Sequence, residues 1–442
     1  MQNNLPPNWS WVKLGDVIGT NGIFVDGDWV ESKDQDPDGE VRLIQLADIG
    51  EIRFRNKSNR FLTRTKAVEL KCTFLKKDDL LIARMPDPLG RACLFPFDAK
   101  DKFVTVVDVA VVRVDQKNTN PKYLCYIVNA PQSRYNISAL QSGSTRKRIS
   151  RKNLATINFP LPPLPEQRRI VEKIEELFSE LDNGIENLKK AKAQIKTYRQ
   201  AVLKFAFEGK LVQGQRTKDK GKSEGGELPE GLPAEVSTKA GWKWVKLGTL
   251  INFIGSGATP RGGRSVYQKN GIMFIRSQNV YPNKLRLDDV AYISEKINNN
   301  LKRSVVKPKD VLLNITGASI GRATFIPENF QRANVNQHVC IIRTSHEKVT
   351  SKYLSSFLNS PFAQDYITRI QIGATRQALN YSQIKNFPFP LAPIEEQIQI
   401  TSEIEKRFSV VDKMEAAIDE SLKKAEALRQ SILKKAFEGK LV

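Results

Sequence analysis

The chain contains the same long segment twice. Residues 159–212 read FPLPPLPEQRRIVEKIEELFSELDNGIENLKKAKAQIKTYRQAVLKFAFEGKLV, and residues 389–442 read FPLAPIEEQIQITSEIEKRFSVVDKMEAAIDESLKKAEALRQSILKKAFEGKLV. The two align without a gap at an offset of 230, with 23 identities in 54 positions. A repeat of this size makes the chain one unit used twice, a globular part followed by a helix.

Within the first copy Ile174, Phe178, Leu181, Ile185 and Leu188 follow a 4-3-4-3 spacing, resumed at Ile195, Tyr198, Val202 and Phe205. The second places Ile404, Phe408, Val411, Ile418, Leu422, Ala425, Leu428 and Ile432 on a similar stripe. A narrow apolar seam of this period is the pattern of paired long helices. Lys192 interrupts it, so Ala191 shares that contact. Pro162, Pro163 and Pro165 precede the first helix, and Gly209 and Gly439 stand where a terminating glycine belongs. Each helix would be about 60 Å long at 1.5 Å per residue. If the helices run antiparallel, the intervening chain has little distance to span. That arrangement puts one globular domain at each end.

The globular parts match as well. Trp9-Ser-Trp11-Val-Lys-Leu14-Gly15 corresponds to Trp242-Lys-Trp244-Val-Lys-Leu247-Gly248, Asp79-Leu80-Leu81 to Asp310-Val311-Leu312, and Gly90-Arg91-Ala92 to Gly321-Arg322-Ala323. Offsets stay between 230 and 233. Strand-like runs are expected at 41–46, 79–83, 103–114 and 157–159, with a helix over 122–129 ended by Pro131. The predicted architecture is α+β: β-rich domains over 1–158 and 241–388, helices over 159–212 and 389–442, and a Gly/Lys/Glu/Pro-rich linker over 213–240.

Charge narrows the partner. A net charge of +22 and a pI near 9.7 favour nucleic acid or another anionic surface. No apolar run is long enough to span a bilayer and no signal-like segment follows Met1, which argues against a membrane. Cys72, Cys93, Cys125 and Cys340 are isolated, as in a reducing cytoplasm and unlike a zinc site. His338 and His346 are the only histidines, so no metal cluster is expected.

Catalytic signatures are missing. Gly221-Lys222-Ser223 lacks the first glycine of a phosphate loop, which would fall at Arg216. Gly255-Ser-Gly257 lacks the third glycine of a dinucleotide turn, and no methyltransferase tetrapeptide is present. What remains is binding. Thr145, Arg146, Lys147, Arg148, Arg151 and Lys152 place five cations in eight residues. That run is either a solvated loop or a set of phosphate contacts, which anchor a duplex without reading it. Its counterpart keeps Thr375 and Arg376, followed by Gln377. Segments that differ between halves suit base reading better: 21–40 against 255–270, and 84–89 against 314–320. Arg84, Arg261, Arg264, Asn314 and Thr316 are the candidates there, with Arg276, Gln278 and Asn279 as further candidates in the second half, since Arg pairs with guanine and Asn or Gln with adenine.

Two unlike globular halves, each followed by a Pro-rich lead-in, Glu-Gln, a long helix and Ala-Phe-Glu-Gly-Lys-Leu-Val, resemble the DNA-specificity subunit of type I restriction–modification enzymes. The residues that carry this are 160–167 and 390–397 with 206–212 and 436–442; Ala392 and Glu395 depart from the first lead-in's prolines. The resemblance implies two target-recognition domains reading a bipartite double-stranded DNA site, joined by an antiparallel coiled coil that fixes the gap. It implies no cofactor in this chain, two methyltransferase subunits carrying S-adenosylmethionine, and restriction subunits using ATP and Mg2+. Two other readings of the residues stay open, a self-contained DNA methyltransferase or nuclease and a coiled-coil adaptor that binds no DNA.

Overall fold

The computed structural model describes residues 5–85, 88–98, 100–144, 146–212, 241–372 and 377–442. The predicted linker over 213–240 lies outside the described residues. Packing divides the chain into two compact units that do not follow chain order. The first comprises Met1–Lys189 with Asp419–Val442, and the second Lys190–Ile418. Each unit therefore takes part of both long helices, Leu164–Phe207 and Ile394–Phe437.

In the first unit a four-stranded antiparallel sheet runs in the order Ile23–Asp26, Val109–Arg113, Leu80–Ala83, Ala92–Leu94. Its two central strands are buried on both faces. Leu80, Ile82, Ala110 and Val112 pack toward the helix Pro121–Asn129 and the long helices. Leu81, Ala83, Val109 and Val111 pack on the opposite face with Ile44, Ile49 and Phe95. That two-sided burial explains why these strands read as continuous apolar runs. A second sheet orders Arg60–Leu62, Val41–Ile44 and Phe103–Thr105, the last pair parallel. The expected 103–114 strand is thus two strands in two sheets, broken at 106–108 as the chain crosses between them. Pro131 does not simply end a helix, because it starts the next one, Pro131–Ala139, as an N1 proline.

The second unit repeats this plan with Ile251–Ser256, Val339–Thr344, Val311–Asn314 and Ala323–Phe325 in one sheet and Ala291–Ile293, Ile272–Ile275 and Ala333–Val335 in the other. It adds a short hairpin, Val280–Tyr281 with Lys284–Leu285. Gly209 and Gly439 both take a φ of +69°, and Lys210 N and Lys440 N each donate to a carbonyl five residues back at 2.9 Å. This is the left-handed helix stop that a glycine supplies at little cost.

Candidate nucleic-acid interface

Each globular part is fastened to its helix in the same way. Trp9 Nε1 donates to Glu166 at 3.0 Å, and Trp242 Nε1 to Glu396 at 3.0 Å. Gln167 is fully buried, accepts from Asn120 N at 2.8 Å and donates to the carbonyls of Pro162 and Asn118. Gln397 does the same with Thr350 N, Ala392 O and Lys348 O. The opening strands Ser10–Lys13 and Lys243–Lys246 pair antiparallel with Asn158–Leu161 and Pro388–Leu391, which bring the Pro-rich lead-ins into place. The repeated Trp and Glu-Gln motifs are therefore one fastening seen in two stretches of sequence.

Set on this frame, the loops at one end of each four-stranded sheet form a cluster. In the first unit the basic run begins as a hairpin closed by reciprocal Ser142 and Arg148 backbone bonds at 2.8 and 2.9 Å. Ile149 N donates to Arg84 O, which ties the hairpin to the strand end. Arg146, Lys147, Arg148 and Lys152 stay exposed. Thr145 lies outside the described residues. Arg151 instead donates to Phe24 O at 2.8 Å and stands 3.5 Å from Asp26. Arg84, expected to reach bases, is turned inward. It donates to Val107 O and Ile149 O and lies 3.3 Å from Asp26, because the carboxylate and free carbonyls at the strand ends offer it partners.

The second unit builds the same place from neutral groups. Ile372 and Ala378 exchange reciprocal backbone bonds, Leu379 N donates to Ile315 O, and Gly317 N donates to Gln377 O. Gln377 is exposed, while Thr375 and Arg376 lie outside the described residues. Tyr381, the counterpart of Arg151, holds Ser256 through its hydroxyl at 2.7 Å. Thr316 Oγ1 meets His338 Nδ1 at 2.5 Å, His338 Nε2 meets the Gln337 amide nitrogen at 3.3 Å, and Thr259 Oγ1 donates to Gln337 Oε1. Arg261 is exposed, and the side chain of Arg264 lies outside the described residues.

The remaining candidates are committed to the fold. Asn279 is fully buried, accepts from Arg276 N and donates to Arg286 O and Asp289. Gln278 and Arg276 also donate to Asp289. Asn314 is fully buried and donates to Ser277 O at 2.8 Å and Ser319 Oγ at 3.1 Å. Their residue types suited base edges, but Arg276, Asn279 and Asn314 each satisfy a turn carbonyl that would otherwise be orphaned, and the exposed Gln278 is held by the Asp289 carboxylate. Sequence reasoning missed Asp26, Gln337 and Tyr381 and gave His338 no binding role. Asp26 and Tyr381 sit at the repeat's matched positions where charge and residue type change, which is the signal that could have found them.

The seam is mostly as spaced. In the first unit Ile174 and Phe178 pack with Ile432, and Leu181, Ile185, Leu188 and Leu422 are half-buried. In the second unit Val202 packs with Ile404, Phe408 lies against them, and Ile195, Val411 and Ile418 are buried. The start of one helix thus lies beside the end of the other, so they run antiparallel. Tyr198, Phe205 and Leu428 depart from expectation at 43%, 48% and 51% exposure. At Tyr198 and Leu428 the next residue, an arginine, takes the contact instead. Arg429 lies 4.5 Å over the Phe178 ring and pairs with Asp182, and Arg199 lies 5.1 Å over Phe408 and pairs with Asp412.

Two carboxyls in the first unit, the half-buried Asp28 and the fully buried Asp48, differ in sign. Burial pushes Asp28 up to about 6, against a hydrogen bond from Thr73 N. Burial would also raise Asp48, but bonds from the Ser58 hydroxyl and the Gln45, Ser58 and Lys57 amides outweigh it and hold the group below its ordinary value. Burial raises the thiols of Cys72, Cys93 and Cys340 to about 12, so these cysteines act as small apolar groups. Among the described residues no His, Cys, Asp or Glu cluster suits a metal ion, and no helix is long and apolar enough to cross a membrane.

Comparison with known proteins places this arrangement. The family described as "Type I restriction modification DNA specificity domain" matches residues 6–196 and 239–424. The EcoBI specificity subunit of Escherichia coli is 31% identical over 308 residues, 69% of this chain and 63% of that protein. The StySPI subunit of Salmonella potsdam is 26% identical over 74% of this chain and 66% of its own length. The match thus spans less than two-thirds of either relative. Among solved structures, a chain from work on complex assembly and conformational transition of the type I R-M system superposes with a TM-score of 0.72 at 21% identity, covering 99% of this chain and all of that one. The HsdS subunit of Thermoanaerobacter tengcongensis gives 0.55 at 19% identity, over 100% and 99% of the two chains. With a family match in each of its two halves and the same fold, this chain belongs to the type I restriction modification DNA specificity domain family.

Proposed function

We propose that this chain is the non-catalytic, sequence-reading subunit of a type I restriction–modification complex, working in the cytoplasm on double-stranded DNA. Each globular part reads one half of an asymmetric bipartite site, and the helix pair sets the gap and docks two methyltransferase subunits. S-adenosylmethionine would belong to those subunits, and ATP and Mg2+ to restriction subunits that join them. One observation carries this reading. The two parts share a frame down to individual hydrogen bonds yet differ at the sheet-end loops, where one cluster is ionic and the other neutral. A common frame with divergent tips suits two readers of different sequences. The exposed Arg146, Lys147, Arg148 and Lys152 fit phosphate anchoring, which makes affinity fall as salt rises.

Selection of preferred sites from random duplexes tests this. Inserting one turn of about four residues after Lys189 and again after Ile418 is expected to change the gap while leaving both half-sequences alone. An unchanged gap would refute the spacing role. Binding that ignores salt would favour an adaptor that does not touch DNA.

A further inference from the structure

The hydrogen-bonded chain Thr259–Gln337–His338–Thr316 joins three separate segments at one end of the second unit's sheet. Thr259 lies after the strand Ile251–Ser256, Thr316 after Val311–Asn314, and Gln337 with His338 in the turn before Val339–Thr344. Thr259 and Thr316 belong to the two segments that diverge most between the halves. Gln337 and Thr259 are exposed, and His338 and Thr316 are half-buried. The His338 main chain is itself fixed, its N–H donating to the Asn336 side chain at 3.1 Å and its carbonyl accepting from Ile315 N at 3.0 Å.

Counting donors and acceptors shows what this does to Gln337. An amide carbonyl has two lone pairs and an amide nitrogen two hydrogens. Thr259 uses one lone pair and His338 Nε2 takes one hydrogen. In this direction of the chain Nε2 accepts, and Nδ1 faces Thr316 Oγ1. One lone pair and one N–H of Gln337 remain. Flipping the amide reverses the direction of the chain but leaves the same pair free. Gln337 is held at both amide atoms, so little rotamer freedom is left to lose on binding. An adjacent acceptor and donor on a planar amide match the N6 amine and N7 of adenine in the major groove.

We propose that Gln337 reads one adenine in the half-sequence recognised by the second unit, with Thr259 and His338 as the residues that position its amide. The inference rests on the DNA-reading function proposed above. Among the described residues the first unit shows no equivalent. Strand register aligns Gln337 with Val107, whose carbonyl is taken by Arg84.

The test is site selection with the full chain assembled with its modification subunits. Gln337→Ala is expected to lower discrimination at one A·T pair of the second half-sequence by roughly 10- to 100-fold. The other half-sequence and the salt dependence should be unchanged. Gln337→Glu should shift that one position toward cytosine, because a carboxylate accepts from the cytosine amine. Thr259→Val should relax the same position and Thr259→Ser restore it, a response that a merely structural threonine would not give. The inference is overturned if Gln337→Ala selects the wild-type sequence at every position. It is equally overturned if all sequences weaken alike with a smaller salt slope, which is the behaviour of a phosphate contact. A wild-type chain that selects no bipartite site would overturn the DNA-reading function as well.

Discussion

The two halves are the same scaffold, and one pair of matched loops carries opposite charge. The segment 21–40 of the first half holds Asp26, Asp28, Glu31, Asp34, Asp36, Asp38 and Glu40, while 255–270 of the second has Arg261, Arg264 and Lys269 and no acid. Beneath these loops the frame scarcely changes. Asp79 takes Arg113 in a two-pronged pair at 2.7 and 2.6 Å, and Asp310 takes Arg343 at 2.7 and 2.8 Å. The difference teaches where a duplicated fold can diverge. Buried pairs and fastenings hold the backbone, and loops at a sheet end change without disturbing them.

The comparison can be broken most forcefully at the shared frame. Asp79→Ala and Asp310→Ala each leave a largely buried arginine without its carboxylate, and each should cost about 3–5 kcal/mol. If the frames are equivalent, the two losses agree within about 1 kcal/mol, the scale of one ordinary hydrogen bond. Hydrogen exchange on the strands Val109–Arg113 and Val339–Thr344 would measure them separately. A loss confined to one half would show that the frames are not energetically alike.

A smaller effect separates the halves at a matched turn. Asp48 occupies the position of Asn279, and both are fully buried. Asp48→Asn removes the charge that the amides of Gln45, Lys57 and Ser58 stabilise, and should cost the first half about 1–3 kcal/mol. The depressed value means that this stability is present above the unfolded carboxyl's titration and is lost as pH falls through the folded one. Thermal unfolding of the variant at neutral pH and in acid is the check: the deficit should shrink in acid.

Asp28 should give the smallest effect and the opposite sign. Its value of about 6 lies above the ordinary 3.8, so folding binds the proton more tightly. Stability from this group is complete below the unfolded value and disappears as pH rises through about 6. Asp28→Asn should therefore stabilise the first half above pH 7 by about 1 kcal/mol, a figure reduced for the group's partial exposure. A melting temperature that tracks the wild type at every pH would dismiss it.

Much of this was legible in the chain. Spacing of Ile174, Phe178, Ile404 and Val411 gave paired helices, because a buried stripe must repeat with the helix. Matched WxWVKLG and Glu-Gln motifs gave the duplication. The pairing of Trp9 with Glu166, however, joins residues 157 apart, and no local pattern encodes that. Base-reading candidates fared worst for the same reason. Asn279, Asn314 and Arg84 have the right chemistry, but whether a polar side chain faces a partner or solvent depends on which backbone groups the fold leaves unpaired nearby. Gln337 lies between Asn336 and His338 in a turn that no repeat match or charge run singled out.

By itself, then, the sequence determined that one α+β unit occurs twice and that its helices must bury a seam, since repetition and period are properties of a line of residues. Tertiary structure alone decided which carboxylates are buried, that arginines replace Tyr198 and Leu428 at the helix contact, and which amide is left free at the sheet end. Those outcomes depend on groups distant in the chain competing for the same hydrogen bonds.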